Sequence, residues 1–338
     1  MTYWYFNKGE KNSICDVEGI KVGHITKAKG SIQTGVTIIN PSPKNIFRHK
    51  LIGASHVING FGKPVGLIQV NELGTLETPI VLTNTLAIGT ATQSLIDIMV
   101  KENEEIGADG TVNPIVLECN DGELNDIRTL HIEKEDVKKA LDNARTEFQQ
   151  GAVGGGRGMV CYDLKGGIGS SSRIIPLGDK EYTIGVLVMS NFGSMKDLMF
   201  QDQRLGPTLV EMTKIEDRED KGSIIVVIAT DAPLSHRQLK RIAKRSQSGI
   251  ARTGGYTGNG SGEITLAFST AQSIPSEKIE ILDLKFLHDS TMDLFFQGTV
   301  EATEEAILQS LLHGEKVLGH KGKVISALKD FFPDLSLK

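Results

Sequence analysis

Short apolar runs bounded by Gly, Pro, Asn or Asp recur along the chain, at residues 35–39, 66–70, 80–83, 114–117, 159–162, 183–188, 224–228 and 264–268. Runs bounded in this way predict strands. Several carry no alternating polar positions, so they predict strands covered on both faces. Helical periodicity fills the intervals. Residues 86–101 follow Thr85 as a predicted N-cap and gather Leu86, Leu95, Ile98 and Met99 on one face. Residues 134–150 space Val137, Leu141, Ala144 and Phe148 three or four apart. Residues 235–252 open on a capping box, Ser235 with Gln238, and oppose an apolar face of Leu239, Ile242, Ala243 and Ile250 to a basic one. Residues 300–312 predict a last helix. The pattern is that of a layered α/β protein with two apolar sheets between helices, without internal repeats.

One segment departs from it. Residues 213–221 read TKIEDREDK, which has no apolar face to bury and predicts an exposed, mobile loop. Gly222 and Ser223 follow, and then the most apolar strand of the chain. A solvated loop before a strand is one reading of this junction, and a cleavable loop before a reactive residue is another.

The chain has 338 residues, enough for one large domain or two ordinary ones. Apolar residues are 39%, and the formal net charge of −5 lacks the basic surplus of a nucleic-acid-binding protein. No apolar run approaches the ~20 residues of a membrane helix, and the N-terminus has no secretory pattern. Three scattered cysteines, Cys15, Cys119 and Cys161, suit a reducing compartment. The expectation is a cytoplasmic protein with neither nucleic acid nor membrane as partner.

Familiar catalytic motifs are missing. The chain has no GxSxG, GxGxxG, Walker or HExxH pattern, and its eight histidines show no ligand spacing, so neither a cofactor nor a metal is expected. A serine hydrolase without a histidine base still has one solution. If the bond before Ser223 is cut, the serine's own α-amine, with a pKa of ~7.7–8.0, can accept the proton of its hydroxyl near neutral pH. That requires a cleavable loop, a glycine before the nucleophile to tolerate unusual backbone geometry, and a rigid strand behind it. Residues 213–230 supply all three. Ser261 and Glu263 alternate at the start of another predicted strand and so share a face, either as part of a Gly-rich turn or to hold and polarise the nucleophile's amine or hydroxyl. Asn191, after a buried run, is either a turn residue or an amide donor to an oxyanion.

Residues 221–233 (KGSIIVVIATDAP) and 259–269 (NGSGEITLAFS) resemble the L-aminopeptidase/D-Ala-esterase/amidase (DmpA-like) family, which includes the β-peptidyl aminopeptidases. Segments 12–22, 58–66, 82–89, 118–126, 151–154, 165–169 and 172–173 extend the resemblance through most of the chain. It implies a single four-layer αββα sandwich over residues 1–338, shared with ornithine acetyltransferases and similar to N-terminal-nucleophile hydrolases in layers but not in connectivity. It also implies cleavage between Gly222 and Ser223 into chains 1–222 and 223–338. By the same resemblance Ser223 is the nucleophile, Ser261 and Glu263 assist it, Asn191 binds the oxyanion, and Glu118 binds the substrate's free ammonium. Asn120 stands where some members carry Tyr, which implies a wider pocket, and Arg157 stands where a small residue is usual. The substrate would be a small peptide, aminoacyl amide or ester (L-aminoacyl, D-Ala or β-aminoacyl), the assembly a homo-oligomer of cleaved pairs, often a tetramer. The rivals are an acyltransferase of the ornithine acetyltransferase type and an uncleaved scaffold without catalysis.

Overall fold

The computed structural model describes residues 3–214 and 222–338. Strands β1 (Lys21–Lys29), β2 (Ile32–Asn40), β5 (Ile80–Asn84) and β6 (Ile115–Cys119) form a four-stranded sheet in the order β1-β2-β5-β6. A six-stranded sheet runs β4-β3-β14-β13-β10-β9, from β3 (His49–Gly60), β4 (Thr75–Leu76), β9 (Gly167–Leu177), β10 (Lys180–Asn191), β13 (Ser223–Thr230) and β14 (Gly262–Pro275). Three small hairpins lie outside these sheets, β7 (Val160–Cys161) with β8 (Leu164–Lys165), β11 (Met199–Phe200) with β12 (Gln203–Arg204), and β15 (Val317–Leu318) with β16 (Val324–Ile325). The helices are α1 (Leu67–Leu73), α2 (Ile88–Glu102), α3 (Lys134–Asp142), α4 (Gly206–Thr213), α5 (His236–Arg252) and α6 (Met292–Leu312).

Alternation along the central strands sorts the two cores. Leu187, Met189, Ile225, Val227, Ile264, Leu266 and Phe268 point between the sheets and meet Ile39, Leu82 and Leu117. Their neighbours Val186, Val188, Ile224, Val226, Ile228 and Ala267 point the other way, onto Leu239, Ile242, Phe295 and Ile307 of α5 and α6. The helices α2 and α3 cover the far face of the smaller sheet. The expected αββα sandwich is therefore the observed one. Both faces of β13 are covered, which is why its sequence is apolar without alternation, and each such side chain contributes about 1.5–3 kcal/mol on burial. The connection from β13 through α5 to β14 makes those two strands parallel neighbours.

Several local expectations are corrected. Residues 66–70 are not a strand. Gly66, at φ +91°, turns the chain into α1, which buries Leu67 and Val70 and exposes Ile68. The helix expected over 134–150 stops at Asp142, because Arg145 exchanges both backbone hydrogen bonds with Val22 near the start of β1. The last helix begins at Met292 instead of residue 300. Gly298, a poor helix former in isolation, lies where a Cβ would come within 2.5 Å of Ile175, so close packing on β9 selects it. Asn84, not Thr85, caps the entry to α2, accepting from the amides of Leu86 and Ala87. Of the expected loop 213–221, residues 215–221 lie outside the described residues.

Candidate active site

Ser223 is the first residue of β13, and its Oγ is buried with no hydrogen-bond partner among the described residues. A cross-strand pair with Asn191 on one side and Gly262 on the other fixes its position. The residue before it must be glycine for a packing reason: a Cβ at Gly222 would lie 2.0 Å from the Asn191 carbonyl oxygen. Gly262 N–H donates to Gly222 O at 3.1 Å, so the carbonyl preceding the serine is already polarised by a backbone donor.

Asn191 ends β10 and pairs with Ser223, so the two side chains rise from the same face of the sheet. Its carboxamide is clamped at both ends. Val160 N–H donates to Oδ1 at 2.8 Å, and Nδ2 donates to Asn120 O at 3.1 Å. Among the described residues one Nδ2 proton is left for an incoming oxygen.

Glu118 and Cys119 close β6 opposite this pair. Cys119 faces the six-stranded sheet, with its thiol toward Met189 O and beside Ser223, and burial pushes that thiol's pKa up. Glu118, one residue earlier, is buried at 6% exposure and turns toward the segment after β3. Its Oε1 accepts from Lys63 N–H at 2.8 Å and its Oε2 from the Thr85 hydroxyl. Both donors are neutral, and no cation is paired with this carboxylate among the described residues. Asn120 is exposed, and its side chain is spent on a local turn, accepting from Gly122 N–H at 2.9 Å.

Ser261 and Glu263 do share a face: Ser261 Oγ donates to Glu263 Oε1 at 3.1 Å, and both residues are fully buried. A hairpin turn is excluded, since β14 runs parallel to β13. Glu263 pairs with Ile224, which points at the helices, whereas Ser223 pairs with Gly262 and points between the sheets. The Ser261–Glu263 pair thus flanks the start of β13 from the next strand, on the side of α5. Asn59 holds this loop by donating through Nδ2 to the carbonyls of Gly258, Asn259 and Ser261.

Four strand ends from distant parts of the chain therefore meet at one end of the sandwich, with a buried hydroxyl, an amide donor, a carboxylate that has no cation partner among the described residues, and a hydroxyl–carboxylate couple. The family profile "Peptidase family S58" matches residues 12–325. The chain belongs to peptidase family S58. The beta-peptidyl aminopeptidase BapA of Sphingosinicella xenopeptidilytica is 38% identical over 335 residues, covering 92% of this chain and 83% of that protein. The crystal structure of the PH0078 protein from Pyrococcus horikoshii OT3 superposes with a TM-score of 0.93 at 48% identity, covering 97% and 94% of the two chains. The L-aminopeptidase D-Ala-esterase/amidase from Ochrobactrum anthropi, described as a prototype of the serine aminopeptidases and a variant of the Ntn hydrolase fold, gives a TM-score of 0.90 at 31% identity, covering 98% and 97%.

Within this S58 chain some residues at the site had no functional role in the sequence reading, where Thr85 was only a helix cap. Thr85 and Lys63 hold Glu118, Asn59 holds the Ser261 loop, and Cys119 lines Ser223. Their segments were visible as part of the family resemblance, but the partner each touches lies tens to hundreds of residues away. Arg157 stands apart from the site, donating to Gln33 Oε1 at 2.7 Å and pairing with Glu315 at 2.6 Å. Among the described residues no helix is long and apolar enough to cross a membrane.

Proposed function

We propose that this chain is a self-processing serine aminopeptidase that divides into chains 1–222 and 223–338 and then removes N-terminal residues from small peptides, amides or esters. The observation that carries the reading is the buried Ser223 Oγ, without a hydrogen-bond partner among the described residues, at the mouth of a rigid strand, beside Asn191 and one residue behind a glycine whose carbonyl already accepts a backbone hydrogen bond.

For self-cleavage, Ser223 Oγ adds to the Gly222 carbonyl carbon, and Gly262 N–H holds the oxyanion that forms on Gly222 O. The C–N bond breaks, the hydroxyl proton passes to the nitrogen, and an ester with a free α-amine results. Water hydrolyses the ester and frees the Ser223 hydroxyl. Before cleavage the Ser223 nitrogen is a non-basic amide; afterwards it is an amine able to serve as general base.

In turnover Glu118 takes the substrate's ammonium, a cation for a carboxylate that has only neutral donors around it. Ser223 Oγ gives its proton to its α-amine and attacks the scissile carbonyl. Asn191 Nδ2 holds the oxyanion, the amine returns the proton to the leaving nitrogen, and water hydrolyses the acyl-enzyme. Ser261, braced by Glu263, supports the α-amine from the neighbouring strand. The substrate range (L-aminoacyl, D-Ala or β-aminoacyl) belongs to the same proposal, as does a homo-oligomer of cleaved pairs. The cytoplasmic setting is supported by three buried cysteines that form no disulfide.

Intact mass after denaturation tests the reading. Two species of about 24 and 13 kDa, apportioned by length, with the smaller beginning at Ser223, are expected. Ser223→Ala should leave a single 36.7 kDa chain. A wild-type protein that stays whole under all conditions would refute the α-amine mechanism.

A further inference from the structure

Lys165, at the end of β8, is fully buried, and neither self-cleavage nor turnover as written uses it. Bringing an ammonium out of water costs several kcal/mol, a cost that a methionine in the same space would not carry. Burial pulls its pKa down to about 7. Its Nζ donates to three backbone carbonyls, Gly156 O at 3.0 Å, Met159 O at 2.5 Å and Gly166 O at 2.7 Å. Three acceptors match the three protons of an ammonium, whereas a neutral amine has two. The charged groups acting on it are Arg157 and Glu315, which pair with each other at 2.6 Å, and the Cys161 thiol adjoins it. Its charge is therefore met by carbonyl dipoles instead of a carboxylate.

One of those carbonyls leads into the active site. Met159 O and Val160 N–H belong to the same peptide group. That N–H donates to Asn191 Oδ1 at 2.8 Å. A continuous line thus runs from the ammonium, through the Met159–Val160 peptide, to the Asn191 carboxamide and its remaining Nδ2 proton. Hydrogen bonds in series polarise one another in a low-dielectric interior. A cation on the Met159 oxygen makes Val160 N–H a stronger donor; that draws electron density onto Asn191 Oδ1 and makes Nδ2–H a stronger donor in turn. The same contacts stop the amide from flipping.

We propose that Lys165 is a positioning residue that aims and polarises Asn191 toward the oxyanion through the Met159–Val160 peptide. This rests on Asn191 being an oxyanion donor, and the experiment separates the two claims. Lys165→Gln, which keeps neutral donors and removes the charge, is combined with Asn191→Ala in a double-mutant cycle. An aminoacyl p-nitroanilide is the substrate, and kcat is normalised to the cleaved fraction seen by intact mass. Lys165→Gln is expected to lower kcat about 10-fold, the low end of what partners behind metal ligands contribute, with KM changed by less than about twofold. In the Asn191→Ala background the same substitution should change kcat by less than about twofold, because the residue it acts through is gone.

If Asn191→Ala leaves kcat intact, the oxyanion role fails and the relay falls with it. If Asn191→Ala is slow but Lys165→Gln matches the wild type, or loses as much with Asn191 absent as present, the relay alone is overturned. Should Lys165→Gln fail to fold or mature, amide hydrogen exchange in the wild-type protein decides. Val160 N–H should be as protected as the amides of β10, and exchange within minutes would overturn the relay.

Discussion

Replacing Glu118 with Gln tests how the site selects a free N-terminus. The substitution keeps shape, so the Gln oxygen can still accept from Lys63 N–H and its amide can still meet the Thr85 hydroxyl. Stability should therefore change by less than about 1 kcal/mol, as for a neutral hydrogen-bond exchange. What disappears is the carboxylate for the substrate's ammonium. A charge-assisted hydrogen bond is worth about 1.5–3 kcal/mol. The pocket is buried, with Glu118 at 6% exposure, so the upper part of that range applies, about 2–3 kcal/mol. At 1.36 kcal/mol per decade this is a loss of roughly 30- to 160-fold in kcat/KM. The ammonium binds in both ground and transition states, so most of the loss should fall on KM. The assay compares an aminoacyl p-nitroanilide with its N-acetyl derivative. The wild type should strongly prefer the free amine, and Glu118→Gln should erase most of that preference by slowing the free amine alone. A variant that keeps the full preference would refute Glu118 as the ammonium site, whatever its absolute rate.

Asn191→Ala should lower kcat by ~10²–10³ with little change in KM, measured as steady-state kinetics on the matured enzyme. Gly222→Ala places a Cβ 2.0 Å from Asn191 O, so it should displace the start of β13 and slow self-cleavage; intact mass over time reads this, and cleavage at the wild-type rate would refute the packing argument. Arg173 is buried against Glu301 at 3.2 Å and Glu305 at 2.6 Å, so Arg173→Met should leave uncompensated acids and cost about 3–5 kcal/mol in urea unfolding. Burial pulls the His24 pKa down to about 4, its ring nitrogens lying 2.9 Å from Thr37 Oγ1 and 3.1 Å from Gln149 O. The unfolded chain then binds more protons than the folded one between pH 6.5 and 4, so this stabilisation is complete above 6.5 and is lost as pH falls toward 4, by about 3 kcal/mol. Asp121, raised to about 6 chiefly by burial, acts in the opposite sense, so the histidine's part is read as the difference between wild type and His24→Gln.

Much of the site was legible because its signals are local. Gly222-Ser223 before an unbroken apolar run, the Ser261–Glu263 alternation and the Ser235–Gln238 capping box are each written within a few residues, and each holds in three dimensions. The αββα layering was legible for the same reason, since strands covered on both faces and amphipathic helices betray their surroundings in their own sequence.

Tertiary contact decided the rest. Gly66 and Gly298 look like breaks in their segments, yet one starts α1 and the other sits inside α6, because φ +91° in one case and the closeness of Ile175 in the other are demands of the fold. Thr85 reads as a helix cap and instead holds Glu118, 33 residues away. Lys165 reads as one more charged residue in a Gly-rich stretch, and only the folding of 156–166 around it shows a buried ammonium in line with Asn191. Local sequence sets which element a segment forms and which face it buries, through sterics and hydration that act over one or two turns. Which side chains then share a site is set by strand register across the sheets, where neighbours such as Asn191 and Ser223 are joined by hydrogen bonds between segments that carry no record of each other.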